Sequence, residues 1–269
     1  MLILVGETGM REFVARLEAL GWGRLWCQGR PTPYPGEPWA IDNGAFRAWL
    51  HRQPFPAAEF ERRVAIAERV GSPALAVLPD IVAGGLESLE FSLSWLERLP
   101  PRWPWYLAVQ DGMRPEEVAS ELAPVAGIFL GGTTRFKATA LLWARLAHAH
   151  GKRFHFARAG TLARVELARR VWADSLDSSF PLWTRERFDT FVSCVLYGRP
   201  GIGINPLTAD LLFPIHDGEY VESATAALAE TMRRAGRASS AASPVATAGG
   251  GASCGDADGC VPDEVPQLT

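Results

Sequence analysis

The sequence predicts an α/β protein whose core is a (β/α)8 barrel of the TIM type, slightly irregular and followed by a disordered C-terminal tail. Three observations lead to this fold. Eight short apolar runs have the length of β-strands, helical patterns separate most of them, and polar residues follow six successive runs. A chain of 269 residues is also long enough for one such barrel. An open, doubly wound sheet is the second candidate.

The eight strand candidates are short, and polar residues or glycines bound each of them. Several are rich in the β-branched and aromatic residues that pack well on a pleated sheet. They cover residues 2–5, 24–27, 39–41, 74–78, 105–109, 127–130, 153–156 and 172–176. Eight strands are the number that closes a barrel of this type.

Helices are predicted in most of the intervals, because apolar side chains recur there three or four residues apart. The first interval shows the pattern clearly, with Phe13, Leu17 and Leu20 on one face. The predicted helices cover residues 10–20, 57–70, 86–99, 115–122, 138–149 and 162–171. A helix that connects two neighbouring strands makes them parallel. The second and third strands are instead joined by the proline-rich residues 29–38, for which we predict no helix.

The last part of the chain has a different composition. Residues 238–269 are rich in Ala, Ser, Gly and Pro and bury too little apolar area to offset the entropy of ordering, which predicts a disordered tail. The barrel domain is therefore assigned to residues 1–237. Cys254 and Cys260 lie in the tail without a nearby histidine, and the sequence has no metal-binding or cofactor motif, so we expect neither a metal nor a cofactor.

Charge is unevenly distributed along a chain whose formal net charge is −3. Residues 135–187 hold eleven basic and four acidic side chains, which is typical of a surface that binds a polyanion, although solvated helix faces give the same pattern. No apolar run approaches the roughly 18 residues of a membrane-spanning helix, and the N-terminus lacks the features of a signal peptide. We therefore expect a cytoplasmic protein without a membrane partner.

Polar residues at the strand ends are the main functional signal. In a TIM-type barrel the carboxyl ends of all strands meet at one face, where catalytic groups lie. The residues after the six runs are Asp42 and Asn43, Asp80, Gln110, Gly131 and Gly132, Arg158, and the pair Asp174 and Asp177. Any one of them could be a helix cap or an ordinary turn, but together they predict an active site. The sequence has no Walker, dinucleotide, zinc-protease or hydrolase-elbow motif, so the chemistry should depend on carboxylates.

Six segments resemble, in order and spacing, the tRNA-guanine transglycosylase superfamily. They are Asp-Asn-Gly-Ala-Phe (42–46), Pro-Asp (79–80), Val-Gln-Asp-Gly (109–112), Gly-Gly-Thr-Thr-x-x-Lys (131–137), His-x-x-Arg (155–158) and Asp-Ser-Leu-Asp-Ser (174–178). The chain looks closest to the DpdA-type 7-deazaguanine DNA transglycosylases of phages and bacteria. The resemblance implies a pentosyltransferase that replaces guanine in DNA by a free 7-deazaguanine base through a covalent aspartyl–nucleoside intermediate. It also implies partner proteins of a DNA-modification system.

The resemblance further implies roles for individual residues. Asp177 is the expected nucleophile, and Asp42 is the expected general acid and base. The expected substrate-binding residues are Asp80, Gln110 and the backbone N–H groups of Gly131 and Gly132 for the purine, Lys137, His155 and Arg158 for phosphate, and Asn43. Alternation along a strand sends Asp174 and Asp177 to opposite faces, so Asp174 stays open as an alternative nucleophile.

Three alternative functions are also open. The tRNA enzymes of the superfamily carry a cysteine-rich zinc site, whereas Cys194 stands alone here, which argues against tRNA but leaves a tRNA-acting enzyme as the first alternative. A barrel that binds nucleic acid or a deazapurine without catalysis is the second. A carboxylate-dependent glycosidase is the third, since ten Trp residues would suit sugar stacking. The combination of Gln110 with Gly131 and Gly132 favours a purine over a sugar.

Overall fold

The computed structural model describes residues 1–198, which form a closed barrel of eight parallel strands in chain order, so the predicted TIM-type fold is confirmed. The strands are β1 (Leu2–Gly6), β2 (Gly23–Trp26), β3 (Ala40–Ile41), β4 (Leu75–Val77), β5 (Trp105–Val109), β6 (Gly127–Leu130), β7 (Arg153–Phe156) and β8 (Ser175–Ser178). The first seven match the predicted runs to within one residue at each end. The predicted domain boundary at residue 237 and the predicted tail lie outside the described residues.

Helices connect most of the strands. They are α1 (Arg11–Leu20), α2 (Ala45–Leu50), α3 (Ala57–Glu68), α4 (Leu86–Ser94), α5 (Pro115–Ala119), α6 (Thr134–Lys137), α7 (Ala140–Ala149), α8 (Leu162–Arg170) and α9 (Arg185–Tyr197). The short helices α2 and α6 and the last helix α9 have no predicted counterpart. As predicted, no helix joins β2 to β3. None of the helices in residues 1–198 combines the length and the apolar character needed to cross a membrane.

Alternation along the strands separates two apolar layers. One layer fills the barrel, and the other packs between the strands and the helices. The inner layer includes Leu4, Leu25, Ala40, Leu75, Val77, Tyr106 and Ala108, and the outer layer includes Ile3, Val5, Ile41, Leu107, Val109, Phe154, Phe156 and Leu176. On β7 and β8 the inward positions are polar, because His155, Ser175 and Asp177 alternate with the outer apolar residues of these strands. This polar side of the interior leads to the candidate site.

The eighth strand is displaced from its predicted position at residues 172–176. It begins at Ser175 and ends at Ser178. Trp172 belongs instead to the turn after α8, where its φ of 59° is left-handed and its side chain is 73% exposed. The predicted start of this strand is wrong because it was placed at the apolar residues Trp172 and Ala173, which precede β8. The strand itself directs Ser175 and Asp177 inward, and only Leu176 joins the outer apolar layer.

A buried ion pair takes the place of a helix between β2 and β3. Arg24 on β2 donates from Nε and Nη2 to the two carboxylate oxygens of Glu37, at 2.8 and 2.6 Å. The same guanidinium donates to the carbonyl oxygens of Thr8 and Thr32, at 2.8 and 2.9 Å. Both charged side chains are almost completely buried. A bidentate pair with satisfied donors therefore fixes the proline-rich connection to the barrel.

Gly127, the first residue of β6, has no room for a side chain. A Cβ added there would lie 2.5 Å from the carbonyl oxygen of Arg153 and 2.5 Å from Cε1 of Tyr106 inside the barrel. We predict that Gly127→Ala lowers the free energy of unfolding by about 1–3 kcal/mol, the usual cost of over-packing. Urea denaturation measures this change.

Gly9→Ala is the control for this substitution, because no atom lies within 4 Å of the Cβ position at Gly9. It should change the free energy of unfolding by less than about 0.5 kcal/mol. Equal stability of the two variants would contradict the close packing at Gly127.

Candidate active site

The candidate active site lies at the mouth of the barrel, defined here as the end where the carboxyl ends of the strands meet. All eight strands are parallel, so the segments that follow them share this end. The predicted residues are placed as follows: Asp42 and Asn43 after β3, Asp80 after β4, Gln110 after β5, Gly131 and Gly132 after β6, Lys137 at the end of α6, His155 within β7, Arg158 after β7 and Asp177 within β8. Their contacts form two groups, one around Asp177 and one around Asp80.

Asp177 faces the barrel interior and is 7% exposed. Its Oδ1 accepts hydrogen bonds from His155 Nε2 at 2.9 Å and from the backbone N–H of Arg158 at 3.0 Å. No donor from residues 1–198 bonds to its Oδ2. Burial alone would raise the pKa of Asp177, but the hydrogen bond and charge of His155, the N–H of Arg158 and the charge of Lys137 lower it below its usual value. Asp177 is therefore an ionised carboxylate with one oxygen available to a ligand.

His155 holds Asp177 in place from inside the barrel. Its ring is fully buried and stacks on Phe129 with 4.7 Å between the centroids, and its Nδ1 lies 2.8 Å from Ser175 Oγ. The Asp177 carboxylate can only accept, so Nε2 carries a proton. Because no part of the ring reaches the surface, these contacts favour a positioning role over the predicted contact with phosphate.

Lys137 is also buried, with 3% of its surface exposed. Its Nζ donates to the carbonyl oxygen of Ala157 at 2.6 Å, and its charge helps to lower the pKa of Asp177. Ala157 directly precedes Arg158, a non-glycine residue with a φ of 49°. Such left-handed backbone costs about 1 kcal/mol or more and is concentrated at functional sites. Lys137 thus supports both the carboxylate and the strained segment, which favours positioning over the predicted contact with phosphate.

Arg158 extends from this strained segment over the mouth. Its guanidinium carbon lies 4.0 Å from the centroid of the Phe46 ring, and its Nη2 donates to the carbonyl oxygen of Gly132 at 3.3 Å. Desolvation lowers the pKa of Arg158, and the nearby carboxylates of Asp177 and Asp42 act in the opposite direction. The side chain is nevertheless exposed to solvent, so it stays charged at neutral pH. Arg158 therefore supplies a positive charge that a ligand anion can reach.

Asp42 is a carboxyl group whose pKa moves in the direction opposite to that of Asp177. Burial raises the pKa of Asp42, the Arg63 guanidinium lowers it, and the negative charge of Asp177 raises it again, with a net increase. The Oδ1 atom of Asp42 accepts from the backbone N–H of Asn43 at 2.9 Å. Two carboxyl groups with opposed shifts can divide an acid–base reaction, one acting as the anion and the other as the proton donor.

Asp80 is held by two amide side chains. Its Oδ1 accepts from Asn43 Nδ2 at 2.7 Å, and its Oδ2 accepts from Gln110 Nε2 at 3.3 Å. Burial raises the pKa of Asp80 to about 7, while the Asn43 hydrogen bond opposes this shift and the charge of Asp42 adds to it. At neutral pH Asp80 is therefore divided between its two protonation states, so it can both accept and donate a hydrogen bond.

Gln110 is buried, and its amide group is engaged with the protein. Besides the contact with Asp80, its Nε2 lies 2.8 Å from the carbonyl oxygen of Ile81 and 2.8 Å from Ser88 Oγ, so its two hydrogens are shared among three acceptors. Its Oε1 accepts from the backbone N–H of Ala83 at 2.7 Å. These bonds fix the segment that carries Asp80. They favour an indirect role, in which Gln110 orients Asp80, over the predicted direct contact with a purine.

The two predicted backbone donors differ from each other. The N–H of Gly131 donates to the carbonyl oxygen of Val109 at 2.9 Å, which makes it part of the sheet. The N–H of Gly132 donates to no acceptor in the described part of the chain. Gly132 has a φ of 73°, and a Cβ there would lie 2.7 Å from Asp111 Oδ2, so only glycine fits. Of the pair, the N–H of Gly132 is therefore the one available to a ligand.

Sequence reasoning misses three residues at the mouth. Glu7 follows β1 and accepts from two backbone N–H groups of the loop after β2, at 3.0 and 2.8 Å. Cys27 follows β2, its thiol donates to the carbonyl oxygen of Leu25 at 3.8 Å, and burial together with the charge of Asp42 raises the pKa of that thiol well above its usual value. The rule that a polar side chain follows a strand would have found both. Arg63 reaches from α3 to the carbonyl oxygen of Asp42 at 3.0 Å, and no local pattern connects it with the site.

Asp174 lies at the opposite end of the barrel. Its Oδ2 accepts from the backbone N–H of Phe154 at 2.7 Å and lies 3.0 Å from His148 Nε2. Asp174 precedes β8, whereas Asp177 lies near the carboxyl end of that strand, so β8 begins between the two acids. Asp174 is therefore excluded from the site, and Asp177 is the acid that belongs to it.

No family model matches the chain, and no curated protein matches it. In residues 1–198, no group of three or more His, Cys, Asp or Glu side chains is arranged to hold a metal ion.

The raised pKa of Asp80 predicts a pH-dependent contribution to stability. Its folded-state pKa of about 7 lies above the ordinary value of 3.8, so the folded protein binds this proton more tightly than the unfolded chain. The contribution is complete below about pH 4 and is lost as the pH rises through about 7. The measured quantity is the free energy of unfolding of the wild type minus that of Asp80→Asn. We predict that this difference falls between about pH 4 and about pH 8 and is constant at higher pH.

Urea denaturation of both proteins across this pH range measures the difference. Titrating groups that do not interact with Asp80 contribute equally in the two proteins, so their contributions cancel in the comparison. A difference that does not depend on pH would contradict the raised pKa of Asp80.

Proposed function

We propose that this protein is a glycosyltransferase that replaces guanine in DNA by a 7-deazaguanine through a covalent aspartyl–nucleoside intermediate. The observation that supports this most is the arrangement of two carboxyl groups at the mouth. His155 and the Arg158 N–H hold one oxygen of Asp177, and Asp42 follows β3 at the same end of the barrel. Asp177 is ionised with its Oδ2 available, while the pKa of Asp42 is raised. Displacement with retention at a glycosidic carbon needs this combination of a nucleophilic carboxylate and a proton-donating acid.

The first step transfers the sugar to the protein. Asp177 Oδ2 attacks C1′ of the target nucleoside, and the bond between C1′ and N9 of guanine breaks. The electron pair of that bond leaves with guanine, and Asp42 supplies the proton that neutralises the departing base. The strand stays intact, because only the glycosidic bond has been exchanged for an ester bond to Asp177.

The second step reverses the first with a different base. N9 of the incoming 7-deazaguanine attacks C1′, and the ester bond to Asp177 breaks. The N9 proton passes to the Asp42 carboxylate, so both acids return to their starting states. Two displacements at one carbon give net retention, as in a retaining glycosidase in which a base replaces water. The sequence of steps balances without an oxidant, a reductant or a cofactor.

Asp80 and Gly132 are the groups that we assign to the purine. Guanine and 7-deazaguanine present N–H donors and a carbonyl oxygen along one edge, which match the Asp80 carboxyl and the free N–H of Gly132. Asn43 and Gln110 support this assignment by holding Asp80 in a fixed orientation. A sugar ring offers no such planar edge, so these groups favour a nucleoside over the substrate of a glycosidase.

The burial of Asp177 restricts the conformation in which the nucleic acid can bind. Asp177 is almost fully buried, so a base stacked in a duplex could not bring its C1′ to Oδ2. The target nucleotide must therefore leave the stack, as in other enzymes that act on bases. We assign an adjacent phosphate to the exposed guanidinium of Arg158. The preference for DNA over tRNA follows the motif resemblance, as do the DNA-modification partner proteins. We also propose a cytoplasmic location, which is the expectation from the lack of a long apolar run.

Exchange of labelled guanine tests the proposal. The purified protein is incubated with DNA and, separately, with bulk tRNA, and the label in the polymer is counted. We predict incorporation into DNA by the wild type and a loss of about 10³-fold or more in Asp177→Asn, because the nucleophile is gone. Asp174→Asn makes the same chemical change at the opposite end of the barrel and should retain exchange.

Three results would contradict the proposal in different ways. Label in tRNA alone would favour the tRNA-acting alternative. Equal exchange by the wild type and Asp177→Asn would exclude the covalent intermediate. An inactive wild type that still binds nucleic acid would favour the non-catalytic barrel.

A further inference from the structure

An exposed aromatic residue lies at the mouth directly after β8. The chain makes a 3-10 turn over Phe180–Leu182 and reaches Trp183 before α9 begins. A Cβ added at Gly6, the last residue of β1, would lie 3.7 Å from the Leu182 side chain, so the turn packs at the carboxyl end of the strands. The large apolar side chain of Trp183 is nevertheless 54% exposed. An exposed Trp beside a candidate site is a candidate contact for a ligand.

Arg187 stacks on this tryptophan. Its guanidinium carbon lies 4.4 Å from the centroid of the Trp183 ring and 5.3 Å from that of the Phe180 ring. Phe180 in turn packs on Phe191 of the core, with 6.4 Å between the ring centroids. The two rings order a long cationic side chain before any ligand is bound.

The guanidinium of Arg187 makes no ion pair and donates no hydrogen bond to any residue in the range 1–198. Two neighbouring residues of α9 do form ion pairs, since Arg185 pairs with Glu12 at 2.6 Å and Asp189 pairs with Arg16. An ordered guanidinium with unused donors fits an anionic group, and its planar fork matches a phosphate in particular.

The basic segment 135–187 is divided between the two ends of the barrel. Lys152 donates to carbonyl oxygens before β6, and Arg169 and Arg170 pair with Glu166 in the last turns of α8, away from the mouth. Arg158 and Arg187 lie at the mouth. The sequence-level interpretation as one polyanion surface therefore applies only to part of the segment, and Arg187 belongs to that part.

We propose that Trp183 and Arg187 form a subsite for the nucleotide next to the extruded target in a single-stranded stretch of DNA. The base of that nucleotide stacks on the exposed face of Trp183, and its phosphate binds Arg187. This inference rests on the proposed function, because it requires an unpaired nucleotide close to Asp177. When the target leaves the stack, its neighbour loses a stacking partner, and the indole of Trp183 replaces it. Proteins that bind single-stranded nucleic acid without strong sequence preference combine aromatic faces and cationic side chains in this way.

Fluorescence anisotropy with a labelled oligothymidylate of about ten nucleotides tests the subsite. This probe contains no guanine, so its binding does not depend on exchange. We predict that Trp183→Ala in the full chain raises the Kd about ten-fold or more, as for the loss of one stacked base, and that Trp183→Phe has a smaller effect. Trp172→Ala is the matched control, because it removes a still more exposed Trp, 73% against 54%, at the opposite end of the barrel. It should bind as the wild type does.

The charge of Arg187 is tested by salt dependence. We predict that the slope of log Kd against log salt concentration is smaller by about 0.7 for Arg187→Ala than for the wild type. This is the value for one phosphate contact on a single strand. Arg102→Ala removes an exposed arginine at the amino end of β5 and should leave the slope unchanged.

Two results separate this subsite from the proposed function. If Trp183→Ala and Trp172→Ala bind the probe equally well while the wild type exchanges guanine, the subsite is wrong and base exchange stands. If Trp183→Ala alone weakens binding while the wild type exchanges no base, the nucleotide subsite stands and base exchange is wrong.

Discussion

The hydrogen bond from His155 Nε2 to Asp177 Oδ1, inside the barrel at 2.9 Å, is the interaction on which the site depends. Moving a carboxylate out of water costs several kcal/mol unless protein groups replace its hydration. Here the imidazole, the backbone N–H of Arg158 and the charge of Lys137 replace it. Ser175 fixes the imidazole in turn, at 2.8 Å. The polar side of the barrel interior is therefore organised around one negative charge.

A carboxylate that stays ionised also affects the groups around it. Its charge helps to raise the pKa of Asp42 and opposes the lowering of the pKa of Arg158 by desolvation. The group around Asp80 is organised differently, since the neutral amides of Asn43 and Gln110 hold it. The nucleophile thus comes from the β7 and β8 side of the mouth, whereas the proposed acid, Asp42, follows β3. The amide groups that hold Asp80 lie on the β3 to β5 side, and they fix the carboxyl group that we assign to the purine.

Local patterns in the sequence were sufficient to predict the barrel and to place Asp42, Asp80 and Asp177 at one end of it. Strand periodicity and chain order determine both results, because parallel strands bring their carboxyl ends together. The start of β8 could not be predicted, since its inward side chains are polar and an apolar turn precedes it. Contacts between residues that are far apart in the sequence could not be predicted either. His155 and Asp177 are 22 residues apart, and no local periodicity encodes their hydrogen bond.

The assignment of Asp177 as nucleophile and Asp42 as acid requires opposed acidities, which a carbon-13 NMR titration of the aspartate carboxyl groups measures. Asp177→Asn and Asp42→Asn assign the two resonances. We predict that Asp177 stays ionised to a pH below the ordinary aspartate pKa of about 3.9 and that Asp42 titrates above it. Ordinary pKa values for both residues, or a lower pKa for Asp42 than for Asp177, would contradict the assignment of nucleophile and acid.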